Sequence, residues 1–265
     1  MDKLLEIRDL SVSFGGVQAL SDLCLEIQQN QVIGLIGPNG AGKTTAFNAV
    51  SGRIRPSSGS IFFCGQEITG WPPSRIARNG IARTFQNIKL YEDLSVVENV
   101  MIAAHSSISY SFVEAIMGFG RFTRDESRIR SKAYGLLELM NLGSLALERA
   151  NSLPYGSQRK LEIARALALD PKLLLLDEPV AGMNPTETRE FGDFLLRLRK
   201  DLSIGIGLID HDMSFVMGVC DKIRVIDHGR PIAWGTPSQI RNDEQVIAAY
   251  LGPEFGDVTE DHASN

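Results

Sequence analysis

Apolar positions change their period several times along the chain, and each change marks an element. Leu10, Val12 and Phe14 recur at every second residue, as do Leu23, Leu25 and Ile27, with Gly15-Gly16 between the runs. That alternation predicts two antiparallel strands joined by a tight turn. Val32-Ile33-Gly34-Leu35-Ile36 is continuously apolar instead, the mark of a strand buried on both faces. A glycine-rich turn follows, then helical composition from Lys43 to Val50, closed by Gly52. Residues 54–69 read as a loop around Pro56, Ser57, Ser58 and Gly59, with a further edge strand at Ile61-Phe62-Phe63.

From about residue 87 the texture turns helical. Turn residues thin out as far as about 150, and Val96 to Ala104 and Ala133 to Met140 have helical composition. This predicts a helical insertion at about 87–165 in a chain that is otherwise α/β. A buried strand returns at Leu173 to Leu176. Asn184-Pro185-Thr186-Glu187 is a helix start, with Asn as N-cap, Pro at the first helical position and Glu at the third. Phe191, Phe194, Leu195 and Leu198 then repeat at helical spacing. Ile204 to Ile209 predicts another strand, and Ile223 to Ile226, Gly229-Arg230 and Ile232 to Trp234 predict a hairpin. The expected architecture is one α/β domain over residues 1–252 with a mostly parallel sheet, an antiparallel N-terminal β subdomain and the helical insertion. The tail 253–265, with Glu254, Asp257, Glu260 and Asp261, is expected to fray.

Composition narrows the classes. The chain has 265 residues, 43% hydrophobic and 22% charged, which is globular and sets disorder aside. A net charge of −5 speaks against a nucleic-acid partner held by charge. Cys24, Cys64 and Cys220 are widely spaced and form no C-x-x-C, so neither a disulfide framework nor a zinc site is expected. No run reaches the roughly 18 apolar residues of a membrane span. The opening Met1 to Glu6 lacks the basic start and apolar core of a signal peptide. The expectation is a protein that is cytosolic by itself and that works at a membrane only through partners.

The candidate chemistry begins at Gly37-Pro38-Asn39-Gly40-Ala41-Gly42-Lys43-Thr44, which matches G-x-x-x-x-G-K-[ST]. Glycines let the backbone curl so that successive N–H groups point at phosphate oxygens. The helix that starts near Lys43 adds its positive end. Lys43 is placed to reach the β- and γ-phosphates and Thr44 to ligate Mg²⁺. A strand before and a helix after supply the context the motif requires. Leu173 to Leu176 runs into Asp177-Glu178, where Asp177 would hold Mg²⁺ and Glu178 would polarise an attacking water. His211 lies just past a predicted parallel strand, at the sheet edge where ligands bind in doubly wound folds. Gln86 stands where the α/β texture gives way to the helical insertion, the place for a hinge that senses ligand.

The ordered set Gly37 to Thr45, Gln86, Leu153-Pro154-Tyr155-Gly156-Ser157-Gln158, Leu173 to Glu178, Ala181 to Asn184 and His211 resembles an ABC-transporter ATPase subunit over nearly the whole chain to Gly252. The resemblance implies ATP and Mg²⁺ as ligands. It places Phe14 on the adenine and Thr45 in the phosphate loop. It makes Gln86 the glutamine that meets the metal and relays nucleotide state, Asp177 the metal acid, Glu178 the general base and His211 the γ-phosphate contact. It also implies head-to-tail pairing with a second, identical or homologous ATPase subunit. Each ATP would lie between one chain's phosphate loop and the other's signature segment, Leu153 to Gln158. Two membrane permease subunits, and indirectly a periplasmic or extracellular binding protein, complete the implied assembly on the cytoplasmic face of the bacterial inner membrane.

A narrower likeness is to the larger ATPase subunit of bacterial branched-chain amino acid importers. It rests on Ala82 to Asn87, Leu94 to Val100, Leu161 to Leu167, Asp210 to Met213, the extended helical segment around 105–130 and the ending Val246 to Gly252. Importers of urea or amides, lipopolysaccharide transporters and soluble ABC ATPases stand as alternatives. The usual signature Leu-Ser-Gly-Gly-Gln is altered here: Pro154 replaces Ser, Tyr155 the first Gly and Ser157 the Gln, while Gly156 stays. Proline removes a hydroxyl and an N–H, so a site completed by this segment is expected to be weaker than one completed by serine. Finally, Arg121, Arg124, Arg128, Arg130 and Lys132 stand against Asp125 and Glu126. They read as a solvated helix face or as a contact for anionic lipid headgroups.

Overall fold

The strands divide between two sheets. The structure, a computed structural model, describes residues 3–84, 86, 88–105 and 121–251. The acidic tail and most of the segment around 105–130 therefore lie outside the described residues.

The first sheet is antiparallel. β1 (Lys3–Phe14) pairs with β2 (Val17–Gln28), with Leu10 opposite Leu23 and Val12 opposite Leu20. The period-2 apolar runs bury one face, as expected, except at the tip, where Phe14 is exposed. β4 (Ser58–Phe63) pairs with the other side of β1. The sequence places β4 at an edge, but it is an inner strand. Cys64 and Gly65 turn with φ of 49° and 76°, which folds the two-residue β5 (Gln66–Glu67) back onto it.

The second sheet has the order β10-β9-β3-β8-β7-β6. Its strands are β3 (Val32–Ile36), β6 (Ile81–Arg83), β7 (Leu173–Asp177), β8 (Gly205–Ile209), β9 (Lys222–Asp227) and β10 (Arg230–Gly235). All neighbours run parallel except the β9–β10 hairpin. The continuous apolar runs make sense because both faces are covered. Ile33, Leu35, Leu173 and Leu175 face the first sheet, and α1 (Lys43–Val50) fills the space between with Ala46, Phe47 and Val50. Val32, Ile36, Leu174, Leu176, Ile206 and Leu208 face the opposite way, toward the larger helical core.

That core is built by α3 (Val96–His105), α4 (Arg121–Leu139) and α5 (Tyr155–Leu167), which come between β6 and β7 in the chain. They meet through Val100, Ala104, Ala133, Leu137 and Leu161. α6 (Pro185–Leu202) starts where the sequence signals it, with a capping box between Asn184 and Glu187. α2 (Pro73–Arg78), α7 (Met213–Val219), α8 (Pro237–Arg241) and α9 (Glu244–Leu251) complete the helices described. β6 and α2 carry no periodic signal, because three and six residues are too few to show a period. Of the basic stretch, Lys132 is not a free surface cation. Its ammonium donates to Ala168 O at 2.7 Å and to the Asp170 carboxylate at 2.6 Å.

This topology turns the chain at the C-terminal ends of β3, β6, β7 and β8, and that edge collects the candidate side chains.

Candidate active site

The loop from Gly37 to Thr45 joins β3 to α1 and is shaped by glycines in conformations that L side chains avoid. Gly37, Gly40 and Gly42 have φ of 153°, 82° and 100°. Two of them are also pressed against neighbouring backbone. A Cβ on Gly37 would collide with the carbonyl oxygen of Ile226, and one on Gly42 would lie 2.6 Å from Ala19 O. The Gly229 N–H donates to Ala41 O at 3.1 Å, tying the loop to the β9–β10 turn. Gly42 is the N-cap of α1 and no side chain caps that end. The N–H groups of its first turn, with the positive end of the helix dipole, are thus open to an anion.

Lys43 is buried, and its ammonium donates to Gly37 O at 2.6 Å and to Pro38 O at 2.8 Å. Burial lowers its pKa, while the nearby Glu178 and Asp177 carboxylates pull it back up. Thr44 is exposed beside it and Thr45 is half-buried.

Asp177 ends β7 with its carboxylate almost wholly enclosed, and it accepts from Arg83 Nη2 at 2.8 Å. Arg83, at the end of β6, also donates to Asn48 Oδ1 at 2.8 Å and to Ser51 Oγ at 3.0 Å. It thereby joins three elements, β6, β7 and α1. Glu178 follows in the left-handed region, φ 48°, and its N–H donates to Ile209 O at 2.7 Å. For a non-glycine residue that conformation stores on the order of 1–3 kcal/mol of strain, of the kind that collects at active sites. The Gln86 side-chain amide donates to Glu178 Oε2 at 2.8 Å, which leaves Gln86 Oε1 as an acceptor.

His211 stands beyond β8 with its side chain 67% exposed, its Nδ1 3.9 Å from Asp210 Oδ1. Asp210 is buried and accepts from the N–H groups of Asp212 at 3.0 Å and Val180 at 3.4 Å. Burial raises its pKa. Phe14 is 49% exposed at the end of β1, on the other sheet. It is therefore not a core residue of its strand.

The altered signature opens α5. Pro154 is its N-cap, and its carbonyl accepts from the N–H groups of Ser157 at 2.9 Å and Gln158 at 3.0 Å. Leu153 O accepts from Gln158 Nε2 at 2.9 Å. Tyr155 is exposed, its ring set against Gly182, and a Cβ on Gly156 would meet open space.

The fold therefore brings Lys43, Gln86, Asp177 and Glu178 together, with Thr44 next to them and His211 and Phe14 each on a separate element. Sequence reasoning missed Arg83 and Arg159. Arg83 has no local signal. Arg159 has a faint one, an acid three residues on at Glu162 on the same helix.

The Mg²⁺ expected from sequence finds hard oxygen donors here: the Thr44 hydroxyl, Gln86 Oε1 and the Asp177 oxygen not held by Arg83. Among the described residues no three His, Cys, Asp or Glu side chains cluster as a cage. That donor set suits a cation carried mainly by substrate phosphates.

The chain matches the ABC transporter family over residues 20–181 and the branched-chain amino acid ATP-binding cassette transporter family over residues 230–254. It is 43% identical, over 94% of its length and 98% of the relative, to the high-affinity branched-chain amino acid transport ATP-binding protein BraF of Pseudomonas aeruginosa. It is 42% identical, with the same coverage, to LivG of Escherichia coli, which carries the same description. Among solved structures it superposes on the ADP conformation of MJ1267, an ATP-binding cassette of an ABC transporter, with a TM-score of 0.82. The identity there is 27%, over 95% of this chain and all of that one.

Proposed function

The chain belongs to the ATP-binding proteins of ABC transporters, and on that premise we propose that it is the ATP-hydrolysing subunit that powers an importer of branched-chain amino acids. Its fold is the α/β P-loop ATPase expected from sequence. The solute rests on the likeness to BraF and LivG and on the C-terminal match over 230–254.

The single observation that carries the catalytic reading is the contact between Gln86 Nε2 and Glu178 Oε2, at 2.8 Å, beside a buried Lys43. A carboxylate held this way, in a left-handed backbone conformation, is aimed rather than free. Glu178 orients and polarises the attacking water. Lys43 exchanges the Gly37 and Pro38 carbonyls for phosphate oxygens, and the N-terminus of α1 holds the same anion. His211 meets the γ-phosphate and Phe14 stacks on the adenine. Thr44, Gln86 and Asp177 would hold Mg²⁺, which when bound neutralises charge on the phosphates.

Each ATP is shared between this chain and the signature segment, Leu153 to Gln158, of a second ATPase subunit bound head to tail. Among the described residues no helix is long and apolar enough to cross a membrane. Two permease subunits hold the pair at the cytoplasmic face of the bacterial inner membrane, and an external binding protein delivers the amino acid. On this reading residues 1–252 act as a single ABC ATPase domain.

Purification of the tagged chain from solubilised membranes tests this. Two permeases and a related ATPase should copurify, and the complex in proteoliposomes should take up leucine with ATP inside. Glu178→Gln should bind ATP, accumulate as a dimer and turn over on the order of a hundredfold more slowly. Full turnover in that variant, or recovery of ribosomal or DNA-repair partners only, overturns the reading.

A further inference from the structure

Arg159 lies outside every role assigned above, yet its side chain is fully buried beside the catalytic pair. It projects from α5, one turn beyond the exposed Tyr155. Its Nη1 donates to Glu162 Oε2 at 2.8 Å. Its Nη2 donates to Gln86 O at 3.1 Å and to Glu178 O at 3.2 Å, with the Tyr155 hydroxyl at 3.4 Å. One nitrogen of the signature helix thus touches the backbone of both residues whose side chains meet in the Gln86–Glu178 contact.

The chemistry of the group makes this arrangement consequential. A buried cation is costly unless it is paired and hydrogen-bonded. Glu162 supplies the charge, and the two carbonyls fix the direction. The guanidinium fork is planar and stiff, so a shift or rotation of α5 moves both carbonyls together. Glu178 is held with φ 48°, and its carbonyl is the atom Arg159 grips, so the aim of its carboxylate depends on this contact. Tyr155 and Arg159 share one face of α5, four residues apart. Tyr155 belongs to the segment that meets the partner's nucleotide.

We propose that Arg159 is a positioning residue that couples the signature segment to the Gln86–Glu178 pair of the same chain, so that docking of the α5 N-terminus on a partner-bound nucleotide sets the aim of the base. The proposal rests on Glu178 as the base and deepens that reading: the two sites of the dimer communicate through α5. Any displacement of Tyr155 or Gly156 passes to Gln86 and Glu178 through one side chain.

The test compares the full chain as wild type, Arg159→Lys, the double variant Arg159→Gln/Glu162→Gln, and Glu178→Gln. The double variant leaves no unpaired buried charge and keeps a hydrogen-bonding amide at both positions, so it answers even if Arg159→Lys does not fold. The double variant should bind ATP within about threefold of wild type and hydrolyse it at least about tenfold more slowly, the scale of a misplaced reacting group. It should still form ATP-dependent dimers when Glu178→Gln is added. Arg159→Lys should recover an intermediate rate, because an ammonium holds one carbonyl but cannot fork across both. Wild-type turnover in the double variant overturns the proposal. So does a parallel loss of ATP binding and dimerisation, which would make Arg159 a fold-holding residue only. Full turnover in Glu178→Gln removes the base assignment itself, whatever Arg159 does.

Discussion

Arg83 holds the Asp177 carboxylate at 2.8 Å inside the protein, with both side chains about 6% exposed. The same guanidinium reaches Asn48 on α1 and Ser51 at its C-terminal cap, so the end of β7 and the helix that follows the phosphate loop are set relative to one another by one cation. Breaking one side of such a pair strands a buried charge. Arg83→Met should lose on the order of 3–5 kcal/mol of stability, read by denaturant unfolding. Arg83→Lys should also weaken ATP binding, because an ammonium cannot span the three acceptors. Unchanged stability and affinity in both variants would show the pair to be incidental.

The three glycines of the phosphate loop should not be equivalent. Gly37→Ala drives a methyl into Ile226 O and Gly42→Ala drives one to 2.6 Å from Ala19 O, whereas a methyl on Gly40 meets nothing within 4 Å. Gly40→Ala carries only its left-handed backbone cost, on the order of 1–2 kcal/mol. Calorimetric titration with ATP should show binding abolished in the first two and reduced in the third. Equal losses in all three would mean that contact does not decide the matter.

Asp210 gives stability a pH dependence of defined sign. Burial raises its pKa above the ordinary 3.8, while the N–H groups of Asp212 and Val180 and the neighbouring His211 pull the other way. The folded chain thus holds this proton more tightly than the unfolded chain. The favourable contribution is complete below the ordinary value and is lost as pH rises through the raised one. Wild-type stability relative to Asp210→Asn should fall across that window and level off above it. Unfolding curves measured at a series of pH values check this, and a difference that grows with pH would reverse the assignment.

Pro154 occupies an N-cap position with no side-chain acceptor. Pro154→Ser supplies one and should stabilise α5 by about 0.5–1 kcal/mol. In the proposed head-to-tail pair it would also restore a hydroxyl beside the partner's nucleotide, so ATP-dependent dimerisation and ATPase rate should rise together. Added stability without a change in either would confine the effect of proline to the helix cap.

Local rules make much of this protein legible in its sequence. The β1–β2 pair, the buried β3, β7 and β8, the Lys43–Val50 helix and the Asn184 cap follow from periods and caps that act within a few residues. The Lys43, Asp177 and Glu178 positions are legible for the same reason, since a strand end or a glycine turn next to each side chain dictates its exposure. Short elements escape: β6 and α2 owe their existence to neighbouring strands and helices, and no period can show in so few residues. Contacts between distant segments escape as well. Nothing in the chain says that Arg83 will find Asp177 94 positions away, or that Arg159 will reach Gln86 73 positions back and Glu178 19 positions on. Sequence determined which groups can do chemistry, because that is a matter of residue type and local backbone. Only the tertiary structure decided which groups hold them in aim, because a buried charge selects its partners from whatever the packed elements bring within about 3 Å.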